Sequence, residues 1–205
     1  IGNLIDDPGA FTVNTSTPIK NLKELAAYAK ANPGKVTVGT TGIGSDDHLA
    51  MLFFERAAGV KMTHVPYKGS GETRAAVVSG QIMLGAINVG EALSYIKGGS
   101  PILMLGQMSA KRTVLAPNVP TFAEQGYNIE SASLRGMAAP KGLPADIREK
   151  LVTAVAKAAA DPEYIKKAGQ LFAPIRYLAP KEYAVELQNT DKQLRQLWKQ
   201  APWKE

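Results

Sequence analysis

The chain has 205 residues, is 45% hydrophobic and 20% charged, and carries a net charge of +6 with two histidines and no cysteine. That length can bury one large or two modest cores, and the lack of thiols excludes disulfides and thiolate metal sites while remaining compatible with an oxidising compartment. No apolar run approaches the roughly 20 residues that cross a bilayer, so no direct membrane insertion is expected. The basic residues are spread over helices and turns rather than clustered among aromatics, which argues against nucleic acid as a partner.

In chain order, Phe11 to Asn14 reads as a strand. Leu22, Leu25, Ala26 and Ala29 form one apolar stripe, predicting a helix over Asn21 to Ala31 that Asn32-Pro33-Gly34 stops. Strands are predicted at Lys35 to Thr40, Lys61 to Val65, Gln81 to Ile87 and Pro101 to Met108, with helices at Asp46 to Ala58, Gly71 to Ser79 and Gly90 to Ile96. This alternation predicts an α/β fold with a mainly parallel sheet flanked by helices. After a loop from Ser109 to Pro120, a short helix covers Thr121 to Gln125, and Ile129 to Ala138 is extended. The last third turns helical. Ile147, Leu151 and Val155 share one face of a helix starting near Pro144, Asp161 and Pro162 cap and open the next, and Tyr183, Leu187, Leu194 and Trp198 form the stripe of the last.

The segment VGTTGIGSDDHLAMLFFERAAGVKMTHVPYKG, from Val38 to Gly69, points most directly to a site. A strand breaks at Thr40, Thr41, Gly42 and Gly44 into a helix for which Ser45 is the expected N-cap, so the loop can offer bare amides to an anion near the helix start. The same glycines could serve only a tight strand-to-helix turn. The loop has the glycine and serine positions of a phosphate cradle, but the lysine is missing and Asp46 and Asp47 follow, so a small carboxylate suits it better than a nucleotide. A second strand ends on Tyr67, Lys68, Gly69 and Ser70, again leading into a helix. In a parallel sheet the two loops leave the same carboxyl edge, and Asn88 is a third candidate there. Tyr67 either offers its phenol or packs under the loop, and Lys68 either pairs with an anion or is a solvated charge. Arg135 could pair with a carboxylate or bridge two lobes.

Catalysis and metal binding find little support. Ser45, Asp47 and His48 are neighbours at one helix start, a spacing that does not orient an imidazole between hydroxyl and carboxylate. No G-x-S-x-G elbow occurs, and His48 and His64 lack metal-ligand spacing. His48 either packs at the helix start or touches ligand, and His64 either ends a strand or touches ligand.

The glycine loop with His48, HVPYKGSG at His64 to Gly71, SGQIMLGAINVGEALSYIKGG at Ser79 to Gly99, SAKRTVLAPNVPTFAEQGY at Ser109 to Tyr127, RGMAAPKGLP at Arg135 to Pro144 and Ala-Pro-Trp at Ala201 to Trp203 together resemble the substrate-binding proteins of tripartite tricarboxylate transporters, the Bug receptors. The resemblance implies a periplasmic-binding-protein-like fold of type II: residues 1–11 ending a first-lobe segment, 12–131 forming the second lobe, and 132–205 returning as C-terminal helices of the first. It implies a periplasmic, non-enzymatic receptor without a cofactor, which closes by a hinge on a small carboxylate and delivers it to membrane permease subunits. Backbone amides with the Thr41 and Ser45 hydroxyls would grip the ligand. A family member should open with a secretion signal, whereas this chain begins at Ile1-Gly2-Asn3, so it reads as a C-terminal portion whose helix stripes promote self-association. The competing reading is the effector-binding domain of a transcriptional regulator or sensor.

Overall fold

The computed structural model describes residues 1–200 together with Pro202 and Trp203. Ala201 of the terminal Ala-Pro-Trp motif lies outside the described residues. The chain divides into two compact units, one formed by Pro8–Ala132 and the other by Ile1–Asp7 with the described residues of 133–203. Strand β1 (Gly2–Asn14) begins in the second of these and ends in the first.

In the Pro8–Ala132 unit, β1 is followed by α1 (Leu22–Ala31), β2 (Thr37–Thr40), α2 (Asp46–Ala58), β3 (Thr63–Pro66), α3 (Ser70–Val78), β4 (Leu84–Asn88), α4 (Val89–Lys97) and β5 (Ile102–Gln107). The strand order is β3-β2-β4-β1-β5. β2 pairs parallel with β3 and β4, while β1 is antiparallel to β4 and β5. Four strands therefore run one way and β1 runs against them, making a mixed sheet whose main direction is the parallel one. The expected short helix at Thr121 to Gln125 narrows to a 3-10 turn at Ala123–Gln125.

Period-two alternation gives this sheet two different faces. Phe11, Val13, Val38, Leu84 and Ala86 point to one side, where they pack with Leu22 and Leu25 of α1, Met51 and Phe54 of α2, and Phe122. The rings of Phe11, Phe54 and Phe122 meet edge-to-face with centroids 5.2 to 6.0 Å apart, a geometry that adds to the burial of each ring. On the other side the strands carry Gly39 and Gly85. A Cβ at Gly39 would lie 2.4 Å from Ile82 Cδ1 and 3.0 Å from Thr73 Cγ2, and one at Gly85 would lie 2.9 Å from Val77 Cγ2. These glycines let α3 sit close against β2 and β4, which fixes where its N-terminus falls.

The other unit contains β6 (Ala132–Met137), α5 (Ala145–Ala159), α6 (Pro162–Gln170), β7 (Ile175–Leu178) and α7 (Pro180–Gln200). β7 pairs antiparallel with the start of β1, Asn3 opposite Leu178 and Ile5 opposite Ile175, and Asn3 Nδ2 donates to the Arg176 carbonyl at 3.0 Å. Asp161 caps α6 by accepting from the amides of Glu163 and Tyr164, with Pro162 in the first turn. Gly136 lies against the Tyr183 ring, where any Cβ would come within 2.6 Å. Val155, Ala159, Ala168 and Leu197 are buried, whereas Ile147, Leu151, Ile165, Leu171, Val185, Leu187 and Trp198 stay exposed. β7 and the first half of β1 are absent from the sequence reading. Both are short on regular alternation and are defined by pairing between segments far apart in sequence, β1 with β6 as well as with β7. Among the described residues no helix is long and apolar enough to cross a membrane.

Candidate functional site

The carboxyl ends of β2, β3 and β4 lie side by side, and each strand runs almost directly into a helix. α2 begins at Asp46, α3 at Ser70 and α4 at Val89. Parallel strands with helices alternating across the sheet bring helix N-termini together at this edge, and each N-terminus has amides with no acceptor inside its own helix and a partial positive charge.

The first loop is tied down from within. Ser45 caps α2 by accepting from the His48 amide at 3.2 Å, and its Oγ donates to the Gly42 carbonyl at 2.8 Å. The Thr41 hydroxyl donates to Asp47 Oδ2 at 2.5 Å. Gly42 and Gly44 have φ of 128° and 76°, the left-handed side that glycine tolerates. Their amides are not bare, as the sequence suggested. Gly42 N donates to Thr40 Oγ1 at 3.3 Å and Gly44 N donates to His48 Nδ1 at 3.0 Å. Close turns leave few donors unsatisfied, so the amides that lack an acceptor inside α2 are those of its first turn, Asp46 and Asp47, rather than those of the glycines.

The second loop differs. Gly69 precedes α3 in extended backbone, and no side chain caps that helix, so the Ser70, Gly71 and Glu72 amides lack acceptors within it. The Ser70 hydroxyl donates to Glu91 Oε1 at 2.8 Å and meets the Tyr95 hydroxyl at 2.9 Å, joining α3 to α4. Lys68 is exposed, and its amide donates to Glu72 Oε2 at 3.2 Å. The Tyr67 hydroxyl is buried and has no hydrogen-bond partner among the described residues. Asn88 forms a capping box with Glu91 and donates from Nδ2 to Asp46 Oδ2 at 3.0 Å, which joins α4 to α2.

Thr40, Thr41, Gly42, Gly44, Ser45, His48, Tyr67, Lys68, Gly69, Ser70 and Asn88 thus lie in one unit around one sheet edge. Arg135 belongs to the other unit and pairs at 3.1 Å with a carboxylate of the chain's own, the buried Asp7.

Three site groups escape a sequence reading. Asp47 is 2% exposed, its Oδ1 has no partner among the described residues, and burial, followed by the nearby Asp46 and Glu91 carboxyls, pushes its carboxyl up to about 8 against the Thr41 hydrogen bond. Glu91 anchors both Ser70 and the Asn88 amide. His64 lies opposite Val38 in the β2–β3 register and so shares a sheet face with Thr40, two residues on. Its ring stacks on His48, 3.9 Å between centroids and 4° between planes. The parallel pairing of β2 with β3 was the signal for that contact. Burial and then His64 drive His48 down to about 4, and burial also lowers His64.

The model of the tripartite tricarboxylate transporter family receptor matches residues 1–197. The chain belongs to that family. Among curated relatives of this family receptor, an uncharacterised-family protein encoded in the gbd 5′ region of Cupriavidus necator is 35% identical over 182 residues, which is 89% of this chain and 55% of the relative. BugT of Bordetella pertussis is 31% identical over 67% of this chain and 42% of its own length. The chain thus spans about half the length of the curated relatives it matches. Among solved structures, a Polaromonas TctC solute-binding protein without ligand superposes with a TM-score of 0.84 at 27% identity, over 98% of this chain and 68% of that one. An R. palustris protein solved with adipate gives a TM-score of 0.85 at 27% identity, over 96% and 66%. The periplasmic binding protein BugD gives 0.82 at 29% identity, over 98% and 68%.

Proposed function

We propose that this chain carries the ligand-gripping part of a solute receptor that takes up a small carboxylate and hands it to the permease subunits of a tripartite tricarboxylate-type transporter. The observation that carries the reading is the meeting of three helix N-termini at one sheet edge, in a chain of the receptor family. First-turn amides of Asp46 and Asp47 on α2 and of Ser70 and Gly71 on α3 supply donors that recognise a carboxylate without a full countercharge. Lys68 adds the one basic side chain of the two loops. Thr41, Gly42, Gly44, Ser45 and Asn88 act behind the donors by holding α2 in place, so the hydroxyls named from the sequence serve the loop and not the ligand. Arg135 serves its own unit through Asp7.

A carboxylate also fits the solved relative that holds adipate. On this reading the working location is the periplasm, and the role is capture and delivery rather than chemistry. No specific observation favours the effector-domain alternative. Calorimetric titration of the full-length protein with mono-, di- and tricarboxylates, adipate included, tests the proposal. Saturable binding of at least one acid is expected, weakened by Ser70→Pro, which removes an α3 donor. Failure of every carboxylate to bind a folded protein would overturn it.

A further inference from the structure

Both positive-φ glycines of the first loop hang from an imidazole, one directly and one through a hydroxyl. Gly44 N donates to His48 Nδ1 at 3.0 Å, which puts the ring proton of neutral His48 on Nε2. Gly42 N donates to Thr40 Oγ1 at 3.3 Å, and that oxygen shares a 2.7 Å hydrogen bond with His64 Nε2. The two rings stack face to face at 3.9 Å. His48 sits in the first turn of α2 and His64 in β3, so the stack clamps the start of the helix to the strand beside it.

The Gly44 contact works only with a neutral His48 ring. A proton at His48 Nδ1 turns the acceptor of the Gly44 amide into a donor, leaving two donors opposed at hydrogen-bond distance. A second charge on His64 would add like-charge repulsion across the stack. The titratable neighbours are His64 on β3, Asp46 and Asp47 on the first turn of α2, and Glu91 on α4. Burial and His64 oppose a charge on His48 and lower it to about 4, while Asp47 in the same turn is pushed towards its neutral form.

Resting on the carboxylate-receptor reading, we infer that His48 and His64 are positioning residues whose neutral stack holds the glycine loop in the shape that aims the α2 amides at the ligand, and that proton uptake by the pair loosens the loop and releases the carboxylate. The ligand is not touched by either ring on this account. Their effect passes through Gly44 and through Thr40 to Gly42. An acidified surrounding would then empty the site without any change in its direct contacts.

Two measurements on the full-length protein test this. In the first, which needs no ligand, nitrogen–proton spectra follow the Gly44 amide while carbon–proton spectra follow the His48 ring from neutral pH to about pH 3. The two should move with one midpoint. His48→Asn, whose Oδ1 can accept from Gly44 N–H but takes up no proton, should flatten the Gly44 titration. A Gly44 amide that stays still while His48 titrates, or that moves equally in His48→Asn, overturns the inference. Should His48→Asn fail to fold, the wild-type comparison of ring and amide decides alone.

In the second, adipate binding is measured by calorimetry at neutral pH and near pH 3, about one unit below the His48 value. The wild type should lose roughly tenfold more affinity than His48→Asn, the most that one excluding proton can cost about one pH unit below the His48 value. Comparing the two proteins at the same pH cancels the protonation of adipate itself. Equal losses overturn the inference and leave the carboxylate reading standing. Absence of carboxylate binding at neutral pH removes that reading instead, while the spectra still judge the histidine pair.

Discussion

Gly44 occupies φ 76°, a conformation that a β-branched residue resists by about 1–2 kcal/mol. Gly44→Val should therefore lose about that much stability in urea unfolding, and should also lose carboxylate binding in the full-length protein because the His48 contact can no longer form. Native affinity in a folded Gly44→Val protein would remove this loop from the site. Asp47 makes a prediction of opposite character. Its folded carboxyl holds a proton up to about 8, whereas the unfolded chain releases it near 3.8. Its contribution to stability is therefore fully present below the unfolded value and is lost as pH rises towards the folded one. His48, lowered in the folded state, contributes most above its ordinary value of 6.5 and less as pH falls towards 4, so the two partly offset each other in weak acid. The difference between Asp47→Asn and wild type isolates one of them. Unfolding free energies should shift in favour of Asp47→Asn as pH rises from about 5 to about 8. Parallel curves for the two proteins would mean that Asp47 is ionised throughout.

Each helix start at the sheet edge is secured differently, and the consequences can be separated by element. α2 depends on Ser45, which accepts from the His48 amide and donates to the Gly42 carbonyl. Ser45→Ala should cost about 1–2 kcal/mol, the loss of a cap together with one further hydrogen bond, measurable by chemical denaturation. A change within error would show that the loop keeps its shape without the cap. α4 depends on the reciprocal Asn88–Glu91 box, and α3 has no side-chain cap, which leaves α3 with the most open N-terminus of the three. In the other unit, β6 and α7 touch through Gly136 and Tyr183, where an added Cβ would come within 2.6 Å of the ring. Gly136→Val should destabilise by about 1–3 kcal/mol through overpacking, with Gly136→Val combined with Tyr183→Ala regaining part of the loss. An unchanged denaturation midpoint for the single variant would contradict that packing.

At the scale of the whole molecule, the helical unit leaves large apolar side chains in water, among them Leu171 at 74%, Val185 at 51% and Ile165 at 48% exposure. Exposed apolar surface of this kind drives association. Sedimentation of this 205-residue chain should show concentration-dependent self-association, reduced by Leu187→Asp and Val185→Asp on α7. A clean monomer at high concentration would show that these side chains do not create an adhesive surface.

The sequence by itself determined the alternation of strands and helices, because apolar stripes at helical spacing such as Leu22, Leu25, Ala26 and Ala29, and stop signals such as Asn32-Pro33-Gly34, act locally along the chain. It also determined the Ser45 and Asp161 caps, which depend on groups two or three residues away, and the gathering of most candidate residues at one edge, which follows once the sheet is taken as parallel. Only the tertiary structure decided what those residues touch. The Gly44 amide is spent on His48, Thr41 on Asp47 and Asn88 on Asp46, and no spacing rule tells a donor that faces a ligand from one that faces its own loop. The reversed direction of β1, its pairing with β7, the stacking of His48 on His64 and the pairing of Arg135 with Asp7 are likewise long-range facts. A buried group's charge depends on which others the fold packs around it, so Asp47 reads in the sequence as an ordinary first-turn acid and becomes a proton-holding carboxyl only when burial and the nearby Asp46 and Glu91 surround it.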